Sequence, residues 1–214
     1  MITAYKCTNI CGQTFSLSNP LNSFFLQMIP FEKIDKSWTL FLDRDGVINR
    51  DKEGDYIRNV DEFAMLDGVR RSINILNNIF GLTVIVTNQK GVGKGLMTLD
   101  DLTGIHELLV TQLSETGGRI DKIYFCTDID NDSPNRKPHP GMALQAKADF
   151  PQINLSKSII VGNRLSDMEF GRNAGMYTVF VATTHPETPF PHPLVDERFD
   201  SLIAFAEQIA LTKH

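Results

Sequence analysis

"SIIVGNRLSDMEFG", residues 158–171, changes character after its fifth residue. Ile159, Ile160 and Val161 make a short apolar run, Gly162 ends it, and Asn163, Arg164 and Asp167 follow. An apolar run of this length, bounded by polar residues, reads as a strand buried on both faces. The polar residues then stand at its carboxyl end, where open α/β sheets bind their ligands. The stretch therefore predicts a parallel sheet with chemistry along one edge. It also poses a question, because the first side chain past the glycine is an amide and not an acid.

The neighbouring segments extend the same pattern. Strands are predicted over 38–43 (WTLFLD), 82–88 (LTVIVTN), 122–126 (KIYFC), 158–162 and 177–182 (YTVFVA). Between them, 69–80 carries Val69, Ile73, Leu76 and Phe80 on one helical stripe with Gly81 as its cap. A second helix over 98–113 opens on a capping threonine and repeats Leu99, Leu102, Ile105, Leu109 and Leu113. Further helices are predicted over 140–150, over 167–175 and, at the end, over 201–211. Such alternation specifies a Rossmann-like α/β domain, a central parallel sheet flanked by helices. Residues 38–214 form this domain, residues 1–37 an N-terminal extension without clear period, and "HPETPFPHP" (185–193) a proline-rich loop.

Composition narrows the classes of function. The chain has 214 residues, 42% of them hydrophobic, enough for one real core. A net charge of −5 leaves no basic footprint for nucleic acid or an anionic membrane. No apolar run reaches the ~20 residues that cross a bilayer, and the first residues lack a signal-peptide core. Three cysteines, Cys7, Cys11 and Cys126, are too few and odd in number for a disulfide framework. A cytoplasmic protein acting on a small molecule is the expectation; oligomeric state is left open.

Four strand ends carry the chemistry. Asp43 and Asp45 follow the first strand, and Thr87, Asn88 and Gln89 close the second. Arg136 and Lys137 precede the helix at 140, and Asn163 and Asp167 follow the fourth strand. Two carboxylates this close repel unless a cation or proton lies between them, and such hard oxygen ligands suit Mg²⁺. A hydroxyl, backbone amides and a lysine are the groups that hold phosphoryl oxygens. An aspartate can act as nucleophile. Phosphoryl transfer uses every part. "GVGKG" (91–95) is no P-loop, since Asn88 stands at the first glycine position and Gly95 replaces the Ser/Thr. It is expected as a flexible turn near the substrate.

The order "LDRDGVIN", "TNQ", "RKPHPGM" and "VGNRLSDM" resembles the haloacid dehalogenase (HAD) superfamily, in particular its histidinol-phosphate and heptose-1,7-bisphosphate phosphatases. The likeness covers residues 38–182, and "GDYIRNVDEFAMLDGV" (54–69) favours the heptose enzymes. It implies a HAD core with little or no cap domain. By the same resemblance Asp43 would attack phosphorus, and Asp45 would protonate the leaving oxygen and then deprotonate water. Thr87, Asn88 and Gln89 would bind the transferred group, Lys137 would neutralise charge beside Asp43, and Arg136 would grip the substrate elsewhere. Mg²⁺ would lie among Asp43, the Asp45 carbonyl, Asn163 and Asp167.

Two departures qualify the resemblance. Heptose phosphatases often carry a zinc loop with Cys-x-His and Cys-x-Cys. Here "FCTDIDNDSPNRKP" keeps only Cys126, with Asp128 at the histidine position, so no zinc is expected. Asn163 replaces the family's usual aspartate, which weakens the expected metal site. The favoured substrate is a sugar bisphosphate. Histidinol phosphate and a catalytically weakened phosphate-binding regulator are the alternatives.

Overall fold

In the computed structural model, which describes residues 28–213, strands and helices alternate as the sequence pattern requires. The strands are β1 (Thr39–Leu42), β2 (Leu82–Asn88), β3 (Lys122–Cys126), β4 (Ser158–Gly162), β5 (Tyr177–Val181) and β6 (Glu197–Phe199). They form one sheet in the order β3-β2-β1-β4-β5-β6, with every pairing parallel. Leu42 at the end of β1 lies opposite Ile85 on one side and Val161 on the other. Side chains alternate between two core layers, as the two-residue period of a strand demands. Leu40 and Leu42 join Ile85, Ile159 and Val161 in one layer, while Phe41 joins Val84, Val86 and Ile160 in the other.

Helices cover both faces. The first layer is closed by α1 (Val69–Ile79), α3 (Leu99–Ser114) and α6 (Leu202–Leu211), and the second by α4 (Gly141–Asp149) and α5 (Leu165–Ala174). A short turn of helix, α2 (Lys90–Gly93), stands where the glycine-rich turn was expected. Burying each Leu, Ile or Phe stabilises the fold by about 1.5–3 kcal/mol, against about 0–1 for an exposed ion pair. The two apolar layers, and not the surface charges, therefore hold the sheet.

Several boundaries differ from expectation. Ile29, Ile34 and Trp38 are buried in the first core layer, and the Lys213 ammonium donates to the Phe31 carbonyl at 2.7 Å. The packed body thus begins before residue 38; the rest of the extension, with Cys7 and Cys11, lies outside the described residues. Phe80 and not Gly81 ends α1; a Cβ on Gly81 would stand 2.0 Å from the Lys36 carbonyl. Leu99 is exposed, because α3 starts beyond the edge of the core. Thr98 caps that helix in a reciprocal box with Asp101. Helix α5 begins at Leu165, so Asp167 falls in its first turn. Strand β6 escaped the sequence pattern because it has three residues, two of them charged.

At the end of β4, Gly162 leaves room for Asp167: a Cβ there would lie 2.2 Å from the Asp167 Cβ. Gly162→Ala forces these two elements apart. The expected cost is about 1–3 kcal/mol, measured as a lower urea midpoint with an unchanged slope.

Candidate active site

The chain leaves β1 toward β2 and β3, then returns to β1's other side to build β4, β5 and β6. This reversal opens a crevice at the carboxyl ends of β1 and β4. A cavity of about 380 Å³ occupies it, lined by Asp43, Asp45, Thr87, Asn88, Gln89, Arg136, Lys137 and Asp167. All four predicted strand ends therefore meet. Asn163 is the exception in placement: it has no exposed surface and lies beneath the cavity floor.

Asp43 is fixed by its backbone N–H, which donates to the Val161 carbonyl at 2.9 Å and so ties β1 to β4. The buried Lys137 ammonium bridges Asp43 Oδ1 and Asp167 Oδ1, each at 2.7 Å, and also donates to the Val86 carbonyl at 2.9 Å. Burial pushes the Asp43 carboxyl up to about 7; Lys137 opposes this and the Asp167 charge reinforces it. Burial alone would lower Lys137, but its two carboxylate partners hold it above the usual lysine value. Asp167 Oδ2 accepts from the backbone N–H of Asn163 at 3.2 Å and of Arg164 at 3.0 Å. Both oxygens of Asp167 are thus engaged with this chain's own donors.

Asp45 differs from Asp43. Burial would raise its pKa, yet Arg44, Asn49 and Gln89 hold it below the ordinary carboxylate value. Arg44 Nη2 reaches both carboxylate oxygens at 2.9 Å, and Arg44 Nε reaches Oδ1 at 3.2 Å. Asn49 Nδ2 donates to Oδ1 and Gln89 Nε2 to Oδ2, both at 2.9 Å. Gln89 Nε2 also reaches Thr87 Oγ1 at 2.9 Å, which links Asp45 to the expected phosphate-binding hydroxyl. Arg44 and Asn49 were missed by the sequence reading. Arg44 stands between the two aspartates, and its complete burial has no signal in hydrophobic periodicity.

The Asn163 amide can be turned two ways, and only the second satisfies both of its ends within the chain. In one, Nδ2 donates to Thr184 Oγ1 at 2.6 Å. In the other, the Thr184 hydroxyl donates to Oδ1, and Nδ2 faces the Asp45 carbonyl at 3.1 Å and Asp43 Oδ2 at 3.3 Å. The first places Oδ1 beside a carboxylate oxygen and a peptide carbonyl. Those three hard oxygens are the donor types that Mg²⁺ takes. Among the described residues no three His, Cys, Asp or Glu side chains gather as a metal cluster, so a cation here would rest on this mixed set.

Asn88 serves the loop more than the cavity. Its Nδ2 donates to the Lys137 carbonyl at 3.1 Å and its Oδ1 accepts the Lys137 N–H at 3.0 Å. Arg136 lines the cavity, and its Nη1 is buried without a hydrogen-bond partner among the described residues. Arg164 crosses the mouth to Asp51 at 2.7 Å. Farther along the loop before Arg136, Cys126 Sγ lies 3.6 Å from Asp128 Oδ2, which also accepts the Ser133 hydroxyl. Hydrogen bonds tie these loop residues to one another.

Comparison with known proteins decides the family. A D-glycero-alpha-D-manno-heptose-1,7-bisphosphate 7-phosphatase of Mycobacterium tuberculosis is 39% identical over 176 residues, 82% of this chain and 93% of that protein. The chain belongs to the haloacid dehalogenase superfamily of phosphatases. A HAD-hydrolase-like family model matches residues 134–188 of this phosphatase. The D-glycero-beta-D-manno-heptose-1,7-bisphosphate 7-phosphatase of Escherichia coli K12 is 34% identical over 79% of this chain and 92% of its own length. A crystal structure of D,D-heptose 1,7-bisphosphate phosphatase from B. bronchiseptica, complexed with magnesium and phosphate, superposes with a TM-score of 0.73. It shares 29% identity and covers 81% of this chain and 98% of that one. No helix of the described residues is long and apolar enough to cross a membrane.

The raised Asp43 pKa has a thermodynamic signature. The folded state keeps a proton that the unfolded carboxyl, with its ordinary value of 3.8, releases. This contribution is present in full below the unfolded value and is lost as pH rises through about 7. With divalent cations chelated, wild type is therefore expected to lose Tm relative to Asp43→Asn as pH goes from 4 to 7. Equal pH profiles for the two proteins contradict this assignment.

Proposed function

We propose that this phosphatase is a Mg²⁺-dependent hydrolase of a heptose 1,7-bisphosphate, acting through an aspartyl-phosphate on Asp43. The observation that carries the reading is the pairing of Asp43 with Lys137 at the floor of a cavity walled by Thr87 and Arg136. The substrate class is supported by the likeness to the heptose-bisphosphate phosphatases along four-fifths of the chain.

In this mechanism one oxygen of Asp43 attacks phosphorus as the bond from phosphorus to the sugar oxygen breaks. Asp45 delivers a proton to that leaving oxygen. An arriving phosphate dianion beside Asp45 favours its protonated form, because like charges raise a carboxyl's affinity for a proton. Asp45 then takes a proton from water, whose oxygen attacks phosphorus and frees Asp43 and inorganic phosphate. Lys137 holds charge at the reacting group and Asp167 holds Lys137. Thr87 and the backbone N–H groups near Asn88 receive phosphoryl oxygens, with Gln89 orienting Thr87. The unpartnered Arg136 Nη1 suits the second, non-reacting phosphate. Asp43, the Asp45 carbonyl and Asn163 would hold Mg²⁺, which would supply charge neutralisation at the phosphoryl oxygens.

The test is phosphate release from both anomers of heptose 1,7-bisphosphate, and from histidinol phosphate, with Mg²⁺ titrated. The highest kcat/KM is expected on a bisphosphate anomer, and Asp43→Asn is expected to lose at least about 1,000-fold. Preference for histidinol phosphate overturns the substrate; absence of turnover on every ester overturns the enzyme reading.

Asn163→Asp adds a carboxylate beside the proposed cation position. Calorimetry is expected to show Mg²⁺ binding about tenfold tighter, or about 1.4 kcal/mol. Unchanged affinity removes residue 163 from the coordination sphere.

A further inference from the structure

We propose that His106, outside the cavity on α3, is a positioning residue for Asp45 that acts through the buried guanidinium of Arg44. The inference rests on the phosphatase reading and extends it to a second layer of the site. Arg44 has no exposed surface, and a guanidinium offers five N–H donors and no acceptor. Its Nε and Nη2 grip the Asp45 carboxylate. The remaining nitrogen, Nη1, lies 3.3 Å from His106 Nε2, its one hydrogen-bond partner among the described residues.

Geometry alone settles the direction of that bond. Arg44 can only donate, so His106 Nε2 accepts, and the ring carries its proton on Nδ1. Burial and the neighbouring Arg44 charge also lower the imidazole pKa, to about 4, which keeps the acceptor available at neutral pH. The ring is held from two sides. Helix α3 buries it, and Phe125 of β3 packs against it with ring centroids 5.6 Å apart. His106 is therefore a fixed acceptor that stops the guanidinium from turning about its carboxylate contact. Asp45 in turn is aimed by Arg44 from below, and by Asn49 and Gln89 from the sides.

Asp45 uses that aim for proton transfer, and Gln89 keeps its own hydrogen bond to Thr87. Substrate phosphate is received by Thr87, Lys137 and Arg136, none of which His106 touches. Loss of the acceptor should thus slow proton delivery and water activation while leaving substrate affinity alone. A displacement of about 1 Å in a reacting group costs up to about 100-fold.

The experiment compares wild type, His106→Leu and His106→Gln, the last retaining an acceptor oxygen. Two substrates are used: a heptose bisphosphate, whose sugar alkoxide needs a proton to leave, and p-nitrophenyl phosphate, whose phenolate does not. Circular dichroism and Tm confirm that each variant is folded. His106→Leu is expected to lower kcat on the sugar phosphate about 10- to 100-fold with KM within about twofold. Its first-turnover release of nitrophenol is expected to match wild type, and His106→Gln to recover most of the sugar-phosphate rate. Equal slowing of first-turnover nitrophenol release and of sugar-phosphate turnover marks general damage and overturns the proposal, as does an unchanged kcat. If wild type hydrolyses neither ester, the phosphatase reading has failed; if wild type is active and the Leu variant equals it, only the role of His106 has.

Discussion

The Lys137 ammonium, buried between Asp43 and Asp167, joins three separate parts of the chain at one point. Asp43 ends β1, Asp167 opens α5, and Lys137 arrives on the loop ahead of α4. A lone charge of either sign in so dry a place carries a desolvation penalty of several kcal/mol. Removing Lys137 leaves two buried carboxylates facing each other uncompensated, so the ammonium obliges the three segments to stay together. The geometry of the cavity floor follows from this. Gly162 must stay small to let Asp167 approach, and Asn88 holds both the backbone N–H and the carbonyl of Lys137.

The two aspartates nearest each other in sequence are thereby given opposite properties. Asp43 shares its environment with another carboxylate and is pushed toward neutrality, whereas Asp45 is surrounded by donors and held as an anion. This resting order is the reverse of what the proposed roles need, so ligands have to invert it. A bound cation would draw the proton off Asp43, and a phosphate dianion would favour the proton on Asp45. Asn163 fits the same logic. A carboxylate in its place would face Asp43 with no further cation among the described residues to offset it, while the amide can turn either its donor or its acceptor to the pair.

Much of this arrangement was legible before any coordinates. Strands β2, β3 and β4 span the residues the sequence pattern predicts. Both β2 and β4 lie inside the sheet and are buried over nearly their whole length, whereas β3 is an edge strand that leaves Lys122 and Phe125 exposed. The turn from apolar to polar residues at the strand ends marked Asp43, Thr87 and Asn163. What stayed hidden arises from contacts between distant segments. Nothing in the sequence around His106 names a partner, since its meeting with Arg44 joins residues 62 positions apart. Arg44 lies between two acids, in a pattern that gives no sign of its burial. Gly81 read as a cap, although a carbonyl from residue 36 is what excludes a larger side chain. Strand β6 is too short and too charged to show a period of its own.

The wall of the cavity has a bearing on how such an enzyme can diversify. Asp51, Lys52 and Tyr56, which shape the mouth, sit on the same stretch of backbone as Asp43 and Asp45. Asn49 lies between them, and its Nδ2 bonds both Asp45 and the Arg50 carbonyl. A scaffold with a separate lid can exchange that lid and keep its chemistry. Here a graft that reshapes residues 51–57 would also pull, through Asn49, on the Asp45 carboxylate. The shape of the mouth and the aim of the Asp45 carboxylate are thus tied together through one side chain.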